Sequence, residues 1–358
     1  MTTPTRPPKA RSSDPIVAAL PRVTLVVAMR NEEASIGACL ESIAGQDYPP
    51  DLLEVLVLDG GSTDRSGEIA AEVVAAHPGW QLIDNPRISQ AAGWNIGIDR
   101  ATGDVVGIVG AHSELAPDYV RTAVETLDRT GAEMVGGPVR AHSTGLVGRA
   151  VAAATSSRFG VGGATFHYAE RESDVDTVYM GVSRAETYRQ FRFDEEMIRN
   201  QDDELSYRLL DAGARIVVNP AIRSSYRNRA TLGSLWRQYF AYGFWKVRVA
   251  QKHPRQIRPR QLIPPVFVAS LAGSVALWLA WPPGRVLFTS VAGSYVLANL
   301  AASAWVGRRD PPTTVVLPAV FAVLHVGYGL GFLAGLIRFR GRWRKAEVGV
   351  GAPPAAKG

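Results

Sequence analysis

The chain is poor in cysteine and lacks the common glycine-rich phosphate motifs. Its 358 residues include a single cysteine, Cys39, which excludes an intrachain disulfide framework and a structural metal site built on cysteine. Its early predicted strands are followed by neither a G-x-G-x-x-G turn nor a G-K-[ST] loop, so a nicotinamide or ATP site is poorly supported. The first 20 residues lack the long apolar core of a signal peptide and are rich in Pro, Ser, Thr and Arg. This composition predicts a disordered arm over residues 1–20.

Positive charge is abundant but unevenly placed. The net charge of +6 would suit a nucleic-acid partner, but the excess is concentrated in 223–260, where it alternates with aromatic residues, and in 338–345. Such a tract fits either single-stranded nucleic acid or a membrane surface. No zinc finger or recognition helix accompanies it. Three apolar stretches have about the length needed to span a bilayer, and they favour the membrane over nucleic acid. They are Leu262–Trp281, Val286–Val306 and Thr313–Ile337.

Two apolar runs near the start of the chain each end in polar residues. The first ends in Met29-Arg30-Asn31-Glu32-Glu33, and the second in Asp59-Gly60-Gly61-Ser62-Thr63-Asp64. Between them Ile36, Leu40 and Ile43 lie on one face of a helix predicted over Ala34–Gly45, which completes a βαβ unit. Ligands of such sheets bind beyond the carboxyl ends of the parallel strands. The pattern therefore predicts a nucleotide pocket at this edge of the sheet.

The order strand, Asn-Glu, helix, strand, Asp-x-x-Ser-x-Asp resembles the opening of the family 2 glycosyltransferases. The resemblance implies an α/β fold of the GT-A type and transfer of a sugar from a nucleotide diphosphate. It also implies that Asp59 contacts the uracil or ribose of the donor, with Asn31 and Glu32 nearby. Taken alone, an acidic turn after a strand has a purely local explanation, because Asp, Gly and Ser favour turns.

The next two segments continue the resemblance. Asn85–Gly97 is similar to the family segment that borders the diphosphate, which implies that Arg87 and Asn95 face the donor. The strand after it ends in Gly110-Ala111-His112, where the family carries Asp-x-Asp or Asp-x-His and the last residue holds a divalent cation. Gly110 replaces the first acid, whereas His112 keeps a metal ligand. The implied cofactor is Mn²⁺ or Mg²⁺, and imidazole favours Mn²⁺.

An acidic run opens a later predicted helix. Asp202, Asp203 and Glu204 precede leucines at helical spacing, and Gly213 ends the pattern. The helix dipole alone would favour acids in a first turn. The resemblance implies instead an acidic pair beside the acceptor, in which Asp202 is the general base of an inverting transfer. Asp203 and Glu204 are then expected on the acceptor or diphosphate side.

The order Gly-Val-Gly-Gly, Val-Asp-Thr-Val, Asn-Gln-Asp-Asp-Glu-Leu resembles one branch of the family, the succinoglycan-type exopolysaccharide glycosyltransferases. This branch implies a lipid-linked sugar acceptor, with Asp176 bordering the acceptor side. Arg237 and Gln238 resemble a segment that helps hold diphosphate or acceptor, although both also suit anchoring at a membrane interface.

The predicted organisation has five parts. The arm is followed by a GT-A domain over 21–225, a basic-aromatic interfacial segment over 226–260, a membrane domain over 261–338 with about three apolar helices, and a basic, disordered tail over 339–358. The catalytic domain is expected on the cytoplasmic face of the cell (inner) membrane. Three full crossings would place the basic residues 338–345 outside, against the charge rule. Leu262–Trp281, with Pro264-Pro265 near its start and Pro282-Pro283 after its end, is the candidate for a re-entrant or interfacial segment. The alternative is that all three segments cross and the charge rule fails.

The predicted function is transfer of a hexose, with glucose as the first donor to test, from a nucleotide diphosphate sugar to a polyprenyl-linked saccharide in cell-surface or exopolysaccharide synthesis. The donor implied is a UDP-sugar. Two alternatives stay open. One is a polyprenyl-phosphate sugar synthase, and the other is a non-catalytic membrane partner that binds nucleotide sugars, suggested by Gly110 in place of an acid.

Overall fold

The computed structural model describes residues 20–143, 145–163, 168–228 and 231–345. The predicted N-terminal arm, apart from residue 20, and the tail after residue 345 lie outside the described residues. Residues 340–345 form a 3₁₀-helix, so the prediction of a disordered tail is wrong for this part of it.

The strands and helices alternate through the first half of the chain. The strands are β1 Val23–Met29, β2 Leu53–Asp59, β3 Trp80–Asp84, β4 Val105–Gly110, β5 Ser113–Leu115, β6 Met134–Gly137, β7 Val139–His142, β8 Ser173–Asp174, β9 Tyr179–Arg184, β10 Ile216–Val218 and β11 Ser224–Arg227. The helices are α1 Ile36–Ala44, α2 Ser66–Ala75, α3 Gln90–Arg100, α4 Tyr119–Thr130, α5 Leu146–Thr155, α6 Arg158–Val161, α7 Ala185–Phe191, α8 Gln201–Asp211, α9 Leu232–Lys252, α10 Pro259–Ala280, α11 Gly284–Gly307 and α12 Leu317–Arg338.

Eight of the described strands form one mixed sheet in the order β3-β2-β1-β4-β9-β6-β10-β8. Strands β1 to β4 are parallel neighbours, and β9 runs antiparallel between β4 and β6. The sequence order reverses at β1 and β4, where Ala28 pairs with Gly110. Such a switch point leaves a crevice beyond the carboxyl ends of the strands. The predicted α/β fold is confirmed, and the polar residues that follow β1, β2 and β4 lie at this edge.

Helices cover both faces of the sheet because the central strands are apolar on both sides. Alternate residues of β1 point to opposite faces, so that Leu25 and Val27 pack with α1 and α4, whereas Val26 packs with α3 and α8. The Cys39 side chain is fully buried in the first of these cores. A continuous apolar run on strands is typical of sheets buried on both faces.

A second, three-stranded sheet in the order β5-β11-β7 lies beside the switch point. Strand β11 crosses the predicted domain boundary at residues 225 and 226, so the basic-aromatic segment begins inside the folded domain. Helix α9 follows, and both of its ends pack against neighbouring elements. Near its start, Leu235 packs with α5 and the start of α12, and near its end, Val249 packs with Met197 and Tyr207.

Three helices, α10, α11 and α12, are long and apolar enough to cross a membrane. Helices α10 and α11 expose many large apolar side chains, whereas α12 is more deeply packed. Helix α12 runs along α9 at very short separation. A Cβ atom added to Gly331 would come within 2.0 Å of the Phe240 carbonyl oxygen, and one on Gly335 within 2.6 Å of that of Phe244. Small residues are what permit such close contact between helix backbones.

Both ends of α12 contact the catalytic half of the chain. Just before its start, Asp310 accepts a hydrogen bond from Nε of Arg149 on α5 at 2.7 Å. Just after its end, the Phe339 carbonyl accepts from Gln251 at 2.9 Å, and Arg342 forms an ion pair with Glu196. The helix therefore packs along α9, and the segments beyond both of its ends contact the catalytic half.

Candidate active site

One cavity of about 1600 Å³ extends from the switch point of the sheet to the apolar helices. Its first end is formed by residues that follow β1 and β4, and its middle by the start of α8 and by α9. Its far end is formed by side chains of α10, α11 and α12, among them Phe267, Tyr295 and Leu324. The volume exceeds the roughly 300–1,000 Å³ of a typical small-molecule pocket. The cavity therefore has room for more than one ligand.

Glu32 and His112 lie together at the sheet end of the cavity. The two side chains are partly exposed, and the Nδ1 atom of His112 is 3.7 Å from Oε1 of Glu32. The loop after β1 places Glu32, and the turn between β4 and β5 places His112. An imidazole and a carboxylate at this edge form a polar pair open to a ligand.

The structure explains why Gly110 stands beside this pair. A Cβ atom at this position would lie 3.1 Å from the Tyr179 hydroxyl oxygen and 3.2 Å from Oγ of Ser113. These two hydroxyl groups are themselves hydrogen-bonded at 2.8 Å. The space that an acidic side chain would need at position 110 is thus taken by Tyr179 and Ser113.

Asn31 and Asp59 brace the loops beside the cavity. Oδ1 of Asp59 accepts hydrogen bonds from the backbone and hydroxyl of Ser62, at 3.0 and 2.7 Å. The Asn31 amide oxygen accepts from the backbone N–H of Thr63 at 2.8 Å. Asn31 therefore joins the loops after β1 and β2, whereas Asp59 stabilises the turn that follows β2, as the local turn chemistry of the acidic motif predicts.

Two predicted donor contacts have protein partners. Asn95 is buried and makes two hydrogen bonds with the Phe193 backbone, donating to its carbonyl at 2.9 Å and accepting from its N–H at 2.8 Å. The prediction that Asn95 faces the diphosphate is wrong, because its amide clamps α3 to the segment before α8. Arg87 lines the cavity, but its guanidinium donates a hydrogen bond to Glu195 at 2.8 Å. An anion bound beside Arg87 would therefore share the guanidinium with Glu195.

Asp202 lies in the first turn of α8 and opens into the cavity. The helix begins after Asn200, whose left-handed backbone and hydrogen bond to the Tyr242 carbonyl turn the chain at this point. Although the Asp202 side chain is exposed to the cavity, the protein around it limits its hydration and raises its pKa to about 6. The neighbouring Asp203 carboxylate acts in the same direction, and Lys246 opposes it. A carboxylate with this pKa is ionised near neutral pH yet is a stronger base than an ordinary aspartate.

Asp203 is paired with Lys246 of α9. Both side chains are largely buried, and the ammonium group keeps its proton because Asp203 raises its pKa against the effect of burial. Lys246 also lines the cavity. The pair fixes α8 to α9 and sets the charge beside Asp202.

Glu204 is turned away from the cavity. Its buried carboxylate accepts hydrogen bonds from Arg208 at 2.8 Å and lies 3.1 Å from Nε2 of His253. Burial opposes ionisation, but His253 and Arg208 lower the pKa of Glu204. The expectation that it faces the acceptor or diphosphate is wrong, because one helical turn directs adjacent residues to different sides.

Two predicted acceptor-side groups differ in how they reach the cavity. Asp176 forms an ion pair with Arg260 of α10, and it is Arg260 that lines the cavity. Arg237 and Gln238 on α9 line it directly, and Gln238 donates to the Tyr242 hydroxyl at 2.9 Å. This part of the cavity is thus bordered by α8, α9 and the start of α10.

A divalent cation fits the sheet end of the cavity. In the described part of the chain, no group of three or more His, Cys, Asp or Glu side chains is placed to hold a metal ion. Glu32 and His112 are nevertheless adjacent, and Mg²⁺ and similar ions in nucleotide sites are commonly held by one or two protein ligands together with phosphate oxygens. The donor set suits an ion that binds together with the diphosphate.

Several cavity residues were not among the predicted site residues. Asn85 and Trp94 line the sheet end, and the side-chain Oδ1 atom of Asn85 and the Trp94 indole N–H are buried without a hydrogen-bond partner among the described residues. Lys246 and Arg260 stand in a tract where basic residues are common, and Arg158 stands alone among small and apolar residues. Which basic residues reach the cavity depends on helix packing, which no local pattern specifies.

The GT-A class follows from the fold and the cavity together. A mixed α/β sheet with a switch-point crevice, a carboxylate and an imidazole at that crevice, and an acid-headed helix facing it form the arrangement of a GT-A glycosyltransferase. The comparisons with known proteins agree, since the profile of glycosyl transferase family 2 matches residues 24–186. The chain belongs to glycosyl transferase family 2, whose members act on nucleotide sugars.

Similarity to individual proteins extends through the apolar helices. The chain is 30% identical over 334 residues to succinoglycan biosynthesis protein ExoA of Rhizobium meliloti (strain 1021), across 89% of this chain and 96% of that protein. It is 27% identical over 326 residues to dolichyl N-acetyl-alpha-D-glucosaminyl phosphate 3-beta-D-2,3-diacetamido-2,3-dideoxy-beta-D-glucuronosyltransferase of Methanococcus voltae, across 88% and 97%. Among solved structures, mannosyltransferase PcManGT of Pyrobaculum calidifontis, in complex with GDP-Man and Mn²⁺, covers 88% of both chains with a TM-score of 0.57 and 20% identity.

Proposed function

We propose that the protein is an inverting, metal-assisted glycosyltransferase that moves a hexosyl group from a nucleotide diphosphate sugar to a lipid-linked saccharide at the membrane. The observation that carries this proposal is the continuous cavity, which joins the sheet edge, Asp202 and the apolar helices. A donor at the sheet end and a lipid at the helix end would meet beside Asp202. The name of the Methanococcus voltae relative includes a dolichyl sugar phosphate, which supports an acceptor of this kind.

Asp202 is the proposed general base. Its carboxylate takes the proton of the acceptor hydroxyl as that oxygen forms a bond to the anomeric carbon, and the bond from this carbon to the diphosphate oxygen breaks. Attack from the face opposite the leaving group inverts the anomeric configuration. Glu32 and His112 would hold a divalent cation, Mn²⁺ or Mg²⁺, which would neutralise charge on the diphosphate.

The proposed donor is a UDP-sugar, with UDP-glucose as the first candidate. The proposed location is the cell (inner) membrane with the catalytic domain on the cytoplasmic face, where nucleotide sugars are made. The basic residues of α9 and of 338–345 suit this face because cytoplasmic flanks are enriched in Lys and Arg.

The test is release of UDP from UDP-glucose by the detergent-solubilised protein, with and without a polyprenyl-diphosphate-linked sugar. We expect release to require both the acceptor and a divalent cation. Asp202→Asn keeps the size of the side chain but removes the base, and we expect it to lower kcat by roughly 10²–10⁴-fold. Measurable UDP binding without release from any of several nucleotide sugars would contradict the proposed activity. Transfer to bare polyprenyl phosphate instead would identify a polyprenyl-phosphate sugar synthase.

A further inference from the structure

The helix end of the cavity combines an apolar wall with positive charge. Side chains of α10, α11 and α12 form the wall, and Phe267 stacks on Tyr295 at a ring separation of 4.3 Å. At the border between this wall and the polar middle of the cavity lie Arg158 and Arg260. Neither arginine has a part in the proposed transfer chemistry.

Arg158 is the first residue of the short helix α6. It is exposed, it lies 5.9 Å from the centre of the Tyr168 ring, and it has no acidic partner among the described residues. The next residue, Phe159, packs edge-on against Phe321 of α12, and its carbonyl accepts a hydrogen bond from His325 at 2.8 Å. These contacts fix the backbone next to Arg158 at the point where the apolar wall begins.

Arg260 lies beside the same turn, at the start of α10. One of its nitrogen atoms donates to the Gly163 carbonyl at 3.2 Å, and another is paired with Asp176. Arg258 approaches the same aspartate at 3.8 Å. Arg258 and Arg260 thus share one carboxylate, and Arg158 has no acidic partner among the described residues, so positive charge exceeds negative charge in this corner. An excess of positive charge suits a phosphate monoester or the diphosphate of a lipid carrier.

We propose that Arg158 and Arg260 form a subsite for the phosphate of an isoprenoid lipid phosphate, with the lipid chain along the wall formed by Phe267, Tyr295 and Leu324. This inference rests on the proposed function and adds to it the group by which the acceptor is held. Arginine suits the role because its planar guanidinium donates two parallel hydrogen bonds to phosphate. The subsite lies within the cavity, so that a lipid held there directs its head group toward Asp202.

The direct test is equilibrium binding of fluorescent undecaprenyl phosphate to the full-length protein in nanodiscs of neutral lipid. Undecaprenol, which lacks the phosphate, is the paired probe. We expect Arg158→Gln to weaken binding of the phosphate about tenfold or more and to leave binding of the alcohol unchanged, because one charge-assisted contact is lost. Arg158→Gln leaves no described acidic side chain without its partner, so the fold should be retained.

Arg309→Gln is the matched control, since Arg309 is also exposed beside the apolar helices, has no ion pair among the described residues, and lies outside the cavity. We expect it to bind undecaprenyl phosphate as the parent does. Equal weakening by both substitutions would overturn the subsite, because it would indicate a general surface charge effect. Competition by inorganic phosphate at the same concentration, or by phosphatidylglycerol in the nanodisc, would also overturn it.

Transfer kinetics separate this inference from the proposed function. If the protein transfers sugar, Arg158→Gln should raise KM for the lipid acceptor about tenfold and leave KM for the nucleotide sugar unchanged. Normal acceptor KM in this variant would overturn the subsite while the transferase stands. If the parent protein binds undecaprenyl phosphate but transfers no sugar, and Arg158→Gln loses that binding, the subsite is supported and the transferase is rejected.

Discussion

Asp203 is the side chain whose replacement best tests how Asp202 is tuned. Because a base acts in its ionised form, we expect the parent kcat to rise as pH passes about 6 and to level off above it. Asp203→Asn removes a negative neighbour and leaves the Lys246 charge beside Asp202. Both effects lower the pKa of Asp202, so the midpoint of the pH profile should move to lower pH. An unchanged or higher midpoint would contradict the assignment of Asp202 as the titrating base.

The same substitution also affects stability. Lys246 is 7% exposed, and loss of its partner leaves a buried charge without compensation, at a cost of about 3–5 kcal/mol. Asp203→Asn with Lys246→Met removes both charges and should recover much of the loss. Thermal unfolding of the three proteins in one detergent measures this difference and identifies any activity loss that comes from unfolding.

Gly110 is the second position at which we expect a single substitution to change activity and stability. We expect Gly110→Asp to lower activity and stability, because even its Cβ atom meets the hydroxyl groups of Tyr179 and Ser113. Gly110→Ala introduces only that Cβ atom and should cost less, on the order of 1 kcal/mol. Titration of activity with Mn²⁺ and a thermal melt would measure both. A lower Mn²⁺ concentration for half-maximal activity in Gly110→Asp, at unchanged stability, would show that the position still accepts an acid.

The sequence predicted that Asp202 lies in the first turn of a helix, and it did not predict the contacts of Asn95 and Glu204. Helix α8 has clear start and stop signals, and Gly213 follows it with a left-handed backbone as expected. The partner of Asn95 is Phe193, 98 residues away, and no local spacing encodes such a contact. One partner of Glu204, Arg208, lies one turn further along α8, but the other, His253, follows α9, so the direction of Glu204 became clear only from packing.

Helix α12 shows the same limit for a whole element. Its length and hydropathy are those of a membrane span, as the sequence predicted. The glycines that let it lie along α9 are visible in the sequence at intervals of four, but the identity of the helix they contact is not. Composition therefore predicted an apolar helix and could not predict which side of it faces protein.

The contact between α9 and α12 can be tested by one methyl group. Gly331→Ala would place a Cβ atom 2.0 Å from the Phe240 carbonyl oxygen, so the two helices must separate, at a cost of about 1–3 kcal/mol. We expect a lower unfolding temperature and weaker activity, since Lys246 on α9 supports the cavity. Gly273→Ala in α10 is the control, because nothing lies within 4 Å of its added Cβ atom. Equal melting of both variants would contradict close packing of α9 and α12.

The arrangement of the whole molecule on the membrane follows from the two ends of α12. Asp310 and Arg342 both contact the catalytic half, so a crossing by α12 would require one of these contacts to break. A hairpin of α10 and α11 leaves the surface and returns to it, with only residues 281–283 on the far side. We therefore predict two crossings, with α12 lying along the interface beneath α9. The basic residues after α12 then stay on the catalytic side, in agreement with the charge rule.

Single cysteines can distinguish this arrangement from three crossings. In a Cys39→Ala background, we expect Arg65→Cys on the catalytic domain, Arg308→Cys before α12 and Arg340→Cys after it to react with a membrane-impermeant maleimide from the same side. Pro283→Cys, between α10 and α11, should react only from the other side. The decisive position is 340, because three crossings would make it react together with 283. In that case the contacts of Arg342 with Glu196 and of Phe339 with Gln251 could not persist in the membrane, and the wall proposed for the lipid chain would have to be rebuilt from a different packing of α12.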